Sequence, residues 1–203
     1  MHWEQLRSRS KFLVKRKYFG MGTSMIFDED GRELLVYAKA RFFQWHGFKL
    51  FGDKQMSQEL VFAKRDFQGD GVKQRIGKAF NNEYLVTDTS AGGQQICRFK
   101  RKAFASIFRD MWDIMTADGA VVGSINEHGG FRAVMARFFP AFFPQTYSFV
   151  YQDKEIAELK GKFAFFAPKY VLTVLDQAAD IRMVLTGAAL VGGVEGKQGS
   201  NSL

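Results

Sequence analysis

Six cations fall into two rows whose spacing suits contact with an anion. In Lys11-Phe12-Leu13-Val14-Lys15-Arg16-Lys17, the residues Lys11, Lys15 and Lys17 share one side of an extended chain with Leu13, while Phe12, Val14 and Tyr18 take the other and Arg16 interrupts. In Gln94 to Lys102, the cations Arg98, Lys100 and Lys102 share a side, with Cys97, Phe99 and Ala103 opposite. Cations two residues apart on a strand lie ~6.5–7 Å from one another. Such a row suits phosphates or an anionic bilayer, where each cation near the surface contributes about 1 kcal/mol. The same row also serves as edge-strand protection, because lysines discourage sheet-to-sheet association. Both readings stay open on sequence alone.

Phe138-Phe139-Pro140-Ala141-Phe142-Phe143-Pro144 is a second candidate. Two prolines exclude a central strand or a helix interior. Exposed, Phe138, Phe139, Phe142 and Phe143 would meet a membrane or a protein partner; buried, they would close a corner of the core. Catalytic and metal chemistry find less support. His2, His46 and His128 are scattered, and with Cys97 as the single thiol no zinc spacing exists. Cys97 reads as a small buried strand residue rather than a nucleophile. Asp28-Glu29-Asp30 reads as a turn whose carboxylates accept local backbone amides. Gly69-Asp70-Gly71 has no strand-to-helix context and is no phosphate fingerprint. No catalytic constellation, metal site or cofactor is expected.

The elements that must position these residues alternate with period two. Lys11–Tyr18, Ser24–Phe27, Glu33–Phe43, Phe48–Phe51, Glu59–Arg65, Tyr84–Thr87, Gln95–Lys100, Trp112–Met115, Ala120–Ile125, Arg132–Phe139, Tyr147–Tyr151, Glu155–Lys160, Lys162–Phe166 and Tyr170–Leu175 read as short strands, several joined by carboxylate-led turns. Roughly a dozen strands at this spacing make a sandwich or a barrel. Ile181–Val194 breaks the pattern, being apolar on every side. As a helix it spans only ~21 Å, short of the ~30 Å hydrocarbon core, so it reads as a buried helix with Asp180 near its N-terminus. Its Gly187, Ala188, Ala189, Gly192 and Gly193 favour close backbone approach, as for a plug inside a barrel. The expected organisation is an N-terminal arm over residues 1–9, one domain over 10–194 with a central helix near 181–194, and a flexible tail over 195–203.

Composition bounds the rest. The 203 residues are 46% hydrophobic and 25% charged, which excludes disorder, collagen and coiled coil for most of the chain. One cysteine excludes a disulfide-stapled scaffold. No apolar run reaches the ~18–20 residues of a membrane span. A cytoplasmic protein, peripheral on the inner membrane face, is the expectation. Residues 1–102 hold 20 Lys+Arg against 11 Asp+Glu, a balance of +9, and residues 103–203 hold 9 against 10, a balance of −1. This asymmetry suggests a basic face that meets something anionic.

Phe12-Leu13-Val14-Lys15-Arg16-Lys17, the strand-Asp-Gly-strand units, and the close from Tyr170-Val171-Leu172-Thr173-Val174-Leu175-Asp176 through Asp180-Ile181-Arg182 into the apolar helix resemble the tubby C-terminal-like superfamily, which includes phospholipid scramblases and LURP-one-related proteins. The resemblance covers roughly residues 10–194. It implies a mainly β fold, a closed antiparallel barrel of roughly twelve strands enclosing a C-terminal hydrophobic helix. It also implies a non-enzymatic domain that binds anionic phospholipid or phosphoinositide headgroups through barrel-surface cations. The stretch matching the acidic, calcium-associated segment of scramblases, Gly161–Leu175, holds no carboxylate, leaving only Asp176 and Asp180 nearby. Calcium-triggered scrambling is therefore not expected, since calcium takes ~6–8 oxygens. The palmitoylated cysteine cluster and Pro-rich extension of animal scramblases have no match either. The rival expectations are an adaptor that recruits a protein through the Phe-rich segment and, less favoured, a nucleic-acid binder using the basic strand faces.

Overall fold

The computed structural model describes residues 2–17, 22–40, 47–66, 83–102, 111–128, 145–163 and 169–194. Twelve strands close into an antiparallel barrel: β1 (Lys11–Arg16), β2 (Thr23–Phe27), β3 (Leu34–Ala40), β4 (Gly47–Phe51), β5 (Glu59–Asp66), β6 (Glu83–Asp88), β7 (Gln94–Arg101), β8 (Met111–Met115), β9 (Val121–Glu127), β10 (Thr146–Tyr151), β11 (Lys154–Lys162) and β12 (Lys169–Val174). Each strand pairs with its neighbours in sequence, and β1 pairs with β12 to close the ring. Closure leaves no free edge, so edge protection does not account for the lysine rows.

Alternation decides which side chains fill the interior. Phe12 and Val14 of β1, Phe99 of β7, Ile125 of β9, Phe149 of β10 and Leu172 of β12 are all fully buried. Outward positions carry charge even at mid-strand, as Lys49, Arg98, Asp113 and Glu158 do. That exterior is unlike the apolar band, ~25 Å tall, of a lipid-embedded barrel. No helix among the described residues is long and apolar enough to cross a membrane.

The barrel interior is occupied by α2 (Ile181–Ala189), continued by a π-helical turn over Leu190–Val194. Ile181 and every residue from Met183 to Ala189 are buried. Asp180 caps the helix by accepting the Arg182 amide at 2.9 Å. Thr186, wholly buried, satisfies its hydroxyl on the Arg182 carbonyl at 2.6 Å. Glycine at 187 is a steric requirement: a Cβ there would lie 2.7 Å from Cε1 of Phe149 and 3.0 Å from Cδ1 of Ile125.

The N-terminal arm expected over residues 1–9 contains a helix, α1 (His2–Arg7), against the α2 end of the barrel. Leu6 is buried, and Trp3 packs on the core while its Nε1 donates to Ser90 Oγ at 3.1 Å. Of the expected strand Lys162–Phe166, Lys162 belongs to the end of β11, Phe163 follows outside any strand, and residues 164–166 lie outside the described residues, as does Arg132–Phe139.

The β10–β11 connection is a two-residue turn between Tyr151 and Lys154, with φ of 48° at Gln152 and 60° at Asp153. This backbone shape suits Asn-Gly far better, because a side chain in the left-handed region costs roughly 1–2 kcal/mol. The double substitution Gln152→Asn/Asp153→Gly is expected to stabilise the domain by about 1 kcal/mol in urea unfolding. An unchanged or lowered midpoint would refute that assignment of strain.

Candidate functional site

An up-and-down barrel delivers alternate strand ends to the same rim. One rim gathers the ends of β1, β3, β5, β7, β9 and β11 and the starts of the strands that follow them. The exposed lysines Lys17, Lys39, Lys64, Lys100, Lys102, Lys162 and Lys169 sit there. Among the described residues the carboxylates at this rim are fewer: Asp66, Glu83, Asp113 and Glu127. The inner wall adds cations at the same level, Arg16 on β1 and Arg101 on β7, the latter buried with its Cζ 5.9 Å from the Trp112 ring centroid. Burial lowers the Arg16 pKa from its ordinary value.

The opposite rim is acidic because its turns are built on aspartate. Asp28 accepts the amides of Arg32 and Glu33 at 2.7 and 3.1 Å, and Asp53 accepts those of Ser57 and Gln58. Asp88, Asp118, Asp153 and Asp176 lie at the same end. Charge is thus sorted by barrel end, not by half of the chain, and Lys160, Lys162 and Lys169 from the second half join the basic end.

The six cations singled out by spacing separate in space. β1 and β7 stand six strands apart in a ring of twelve, on opposite walls. Lys11 points to the acidic end and pairs with Glu29 at 3.0 Å. Arg98 and Lys100 share Glu83 at 3.3 and 3.8 Å, and Lys102 holds Asp113 at 2.8 Å. The β7 row is therefore countered by carboxylates of the adjacent strands. Phe138, Phe139, Phe142 and Phe143 lie outside the described residues.

Lys15 and Lys17 belong to a different arrangement. Lys15 stands directly opposite Lys169 on β12, and Lys169 directly opposite Lys162 on β11. The three backbone positions are in register across neighbouring strands, ~4.7–4.9 Å apart in the pairing direction, and facing like charges such as Lys169 and Lys162 disfavour the sheet. Among the described residues none of the three is in an ion pair. The Lys15 side chain runs toward the acidic rim instead, its Nζ 4.3 Å from the Phe27 ring centroid and beside Gly31 of the β2–β3 turn, so its charge does not join those of Lys169 and Lys162. Lys160 lies one row deeper, opposite Val171, with its Nζ 3.6 Å from Glu158 on its own strand. Outward Leu13, Met25, Phe27 and Val171 are half-buried beside this row, and Phe163, next to Lys162, is 51% exposed. The result is an amphipathic patch across the seam where β1 meets β12.

Sequence reading found Lys15 and Lys17 but missed Lys160, Lys162 and Lys169. The alternation Glu158-Leu159-Lys160-Gly161-Lys162 was a usable signal; the cross-strand register was not readable.

The fold and this surface define a closed twelve-stranded β-barrel with an apolar C-terminal helix inside and one cationic, partly apolar end. Comparison with known proteins finds no matching family model, no similar curated protein and no similar solved structure. Among the described residues no group of three His, Cys, Asp or Glu side chains is placed to hold a metal ion.

Proposed function

We propose that this domain is a peripheral, non-enzymatic module that docks its lysine-rich end on anionic phospholipid or phosphoinositide headgroups at a cytoplasmic membrane face. The observation that carries the reading is the facing pair Lys162 and Lys169 on β11 and β12, flanked by Lys17, Lys160 and the exposed ring of Phe163. A facing like-charge pair destabilises a bare sheet and is relieved when phosphates lie across it. The resemblance to tubby-like and scramblase-like barrels supports the same reading.

Sequence adds support from the connections at this end. Phe42, Phe43, Phe67, Phe80, Phe104, Phe108, Phe131, Phe138, Phe139, Phe142, Phe143, Phe165 and Phe166 all fall between strands that end and begin at the basic rim. The connections at the acidic rim hold no Phe. Four lysines at about 1 kcal/mol each give a dissociation constant near ~1 mM, and burial of one aromatic ring lowers it to roughly tens of micromolar. The barrel acts as a rigid presenter, with α2 as its core rather than as a conduit for lipid.

Vesicle co-sedimentation tests this reading. Wild-type protein is expected to sediment with vesicles of phosphatidylcholine plus phosphatidylserine or a phosphoinositide, and not with phosphatidylcholine alone. Lys162→Glu/Lys169→Glu should weaken that binding at least tenfold with folding intact, while Lys100→Gln/Lys102→Gln on the far wall should change it far less. Equal binding to neutral vesicles, no binding to either, or indifference to the Lys162/Lys169 change would each defeat the proposal.

A further inference from the structure

At the acidic end, remote from the lysine row, a cavity of about 400 Å3 opens beside the start of α2. Its apolar wall includes Ile96, Met115, Val122, Ile156 and Met183, with Cys97 among them. Sites for small ligands occupy ~300–1,000 Å3, and this volume falls at their lower end. Ile96, Met115 and Val122 remain half-buried, and the short side chains of the exposed Ala178 and the half-buried Ala179 also line the space.

The polar side of the mouth has a specific character. Asp176 accepts the Ala178 amide at 3.0 Å through Oδ1, while its Oδ2 faces Lys154 Nζ at 2.7 Å. The Lys154 side chain is 68% exposed and that of Asp176 only 21%, so the carboxylate is fixed and the ammonium arrives on a solvent-side tether. Deeper in, Arg182 is already held by Asp88 and Asp180 at 2.8 and 2.6 Å. Of the residues lining the cavity, two are carboxylates, Asp176 and Asp180, against one cation, Lys154. A cation with an apolar body is the ligand class that both charge balance and lining favour.

We propose that this cavity binds a small amphiphilic amine, whose protonated nitrogen displaces the Lys154 ammonium from Asp176 while its apolar body covers Ile156 and Met183. The site is separate from the membrane-facing end, and the proposal stands whether or not that surface binds lipid. It also comes with an internal reporter: Cys97, the only cysteine, lies on the cavity wall and is almost wholly buried. Burial pushes its pKa up, so its alkylation is slow and any covering ligand slows it further.

Three probes of similar size separate charge from bulk: phenethylammonium, 2-phenylethanol and 3-phenylpropanoate, each titrated into the full chain. Amide shifts at Gln152 and Ala178 and the rate of Cys97 alkylation by iodoacetamide would be followed together. The ammonium probe is expected to bind at least tenfold more tightly than the carboxylate and to slow alkylation several-fold. Asp176→Asn should reduce the ammonium probe to the alcohol's affinity, and Ala178→Leu should block all three. Both variants are to be checked for an unchanged fold by their amide spectra. No shift at these amides with any probe, equal or tighter binding of the carboxylate, or an ammonium preference that survives Asp176→Asn would overturn the proposal. Binding that survives Ala178→Leu would place the probe elsewhere and overturn it as well.

Discussion

A chain ending at Asp180 is expected not to fold. Ile181, Met183, Val184, Leu185, Leu190 and Val191 are all essentially buried inside the barrel. Fully burying such side chains is worth about 1.5–3 kcal/mol each, so their joint loss approaches or exceeds the ~5–15 kcal/mol by which a domain is stable at all. The strands cannot collapse inward to compensate, because twelve strands fix the barrel diameter and interiors do not tolerate a void of that size. Far-UV circular dichroism and gel filtration of the truncated chain would check this; a soluble, cooperatively unfolding barrel would show that α2 is dispensable. Gly187→Val probes the same packing without deletion. Its side chain has to enter space held by Phe149 and Ile125, and a loss of about 3 kcal/mol is expected from overpacking plus a β-branched residue in a helix. Neutral behaviour of that variant would mean that the helix sits loosely in its barrel.

Much of this architecture could be read from residue order because alternation and apolarity are local properties. Phe12, Val14, Phe99 and Phe149 announce their inward faces by period two, and Ile181–Leu190 announces burial by having no polar face apart from Arg182 and Thr186. The choice of a barrel over a sandwich followed from that helix needing an enclosure. What was not legible depends on register or on long sequence separation. Nothing local distinguishes Lys169 from any solvated lysine until β12 pairs it with Lys15 and Lys162. Arg101 breaks the expected inside-outside split of β7: it is buried at an inward position where apolar side chains would be expected. Trp3 and Leu6, in a segment too short to signal a helix by periodicity, gave no hint that α1 packs against the core. Asp88 looked like one more turn aspartate in Asp88-Thr89-Ser90-Ala91-Gly92-Gly93, and its partner Arg182 stands 94 positions further on.

That hidden pair supports the last expectation. Asp88 is 0% exposed and receives Arg182 Nη1 at 2.8 Å, Ser90 Oγ at 2.6 Å and the Ser90 amide at 2.9 Å. Burial alone would raise its pKa, but the hydrogen bonds from Ser90 and Arg182 outweigh it and hold the carboxyl below the ordinary value. Arg182 in turn is fixed by Asp180, the cap of α2, so the pair fastens the central helix to the β6–β7 turn and, through Ser90 and Trp3, to α1. Arg182→Leu removes the cation and leaves the buried Asp88 with its Ser90 and Ala91 hydrogen bonds but no countercharge from Arg182, a change that costs about 3 kcal/mol at neutral pH. The pH dependence separates this cause from lost packing. With its folded pKa depressed, Asp88 in the wild type contributes stability that is complete above its unfolded value of about 4 and is lost as pH falls through the folded pKa. In the variant the Arg182 hydrogen bond and charge are gone while those from Ser90 remain, so Asp88 is held down less and contributes less of this pH-dependent stability. The gap between wild type and Arg182→Leu should therefore be widest near pH 7 and narrow steadily below pH ~4 in urea unfolding. A gap independent of pH would assign the loss to the Arg182 side-chain stem, whereas a narrowing gap assigns it to the Asp88 charge and makes this ion pair the electrostatic fastening between barrel and plug.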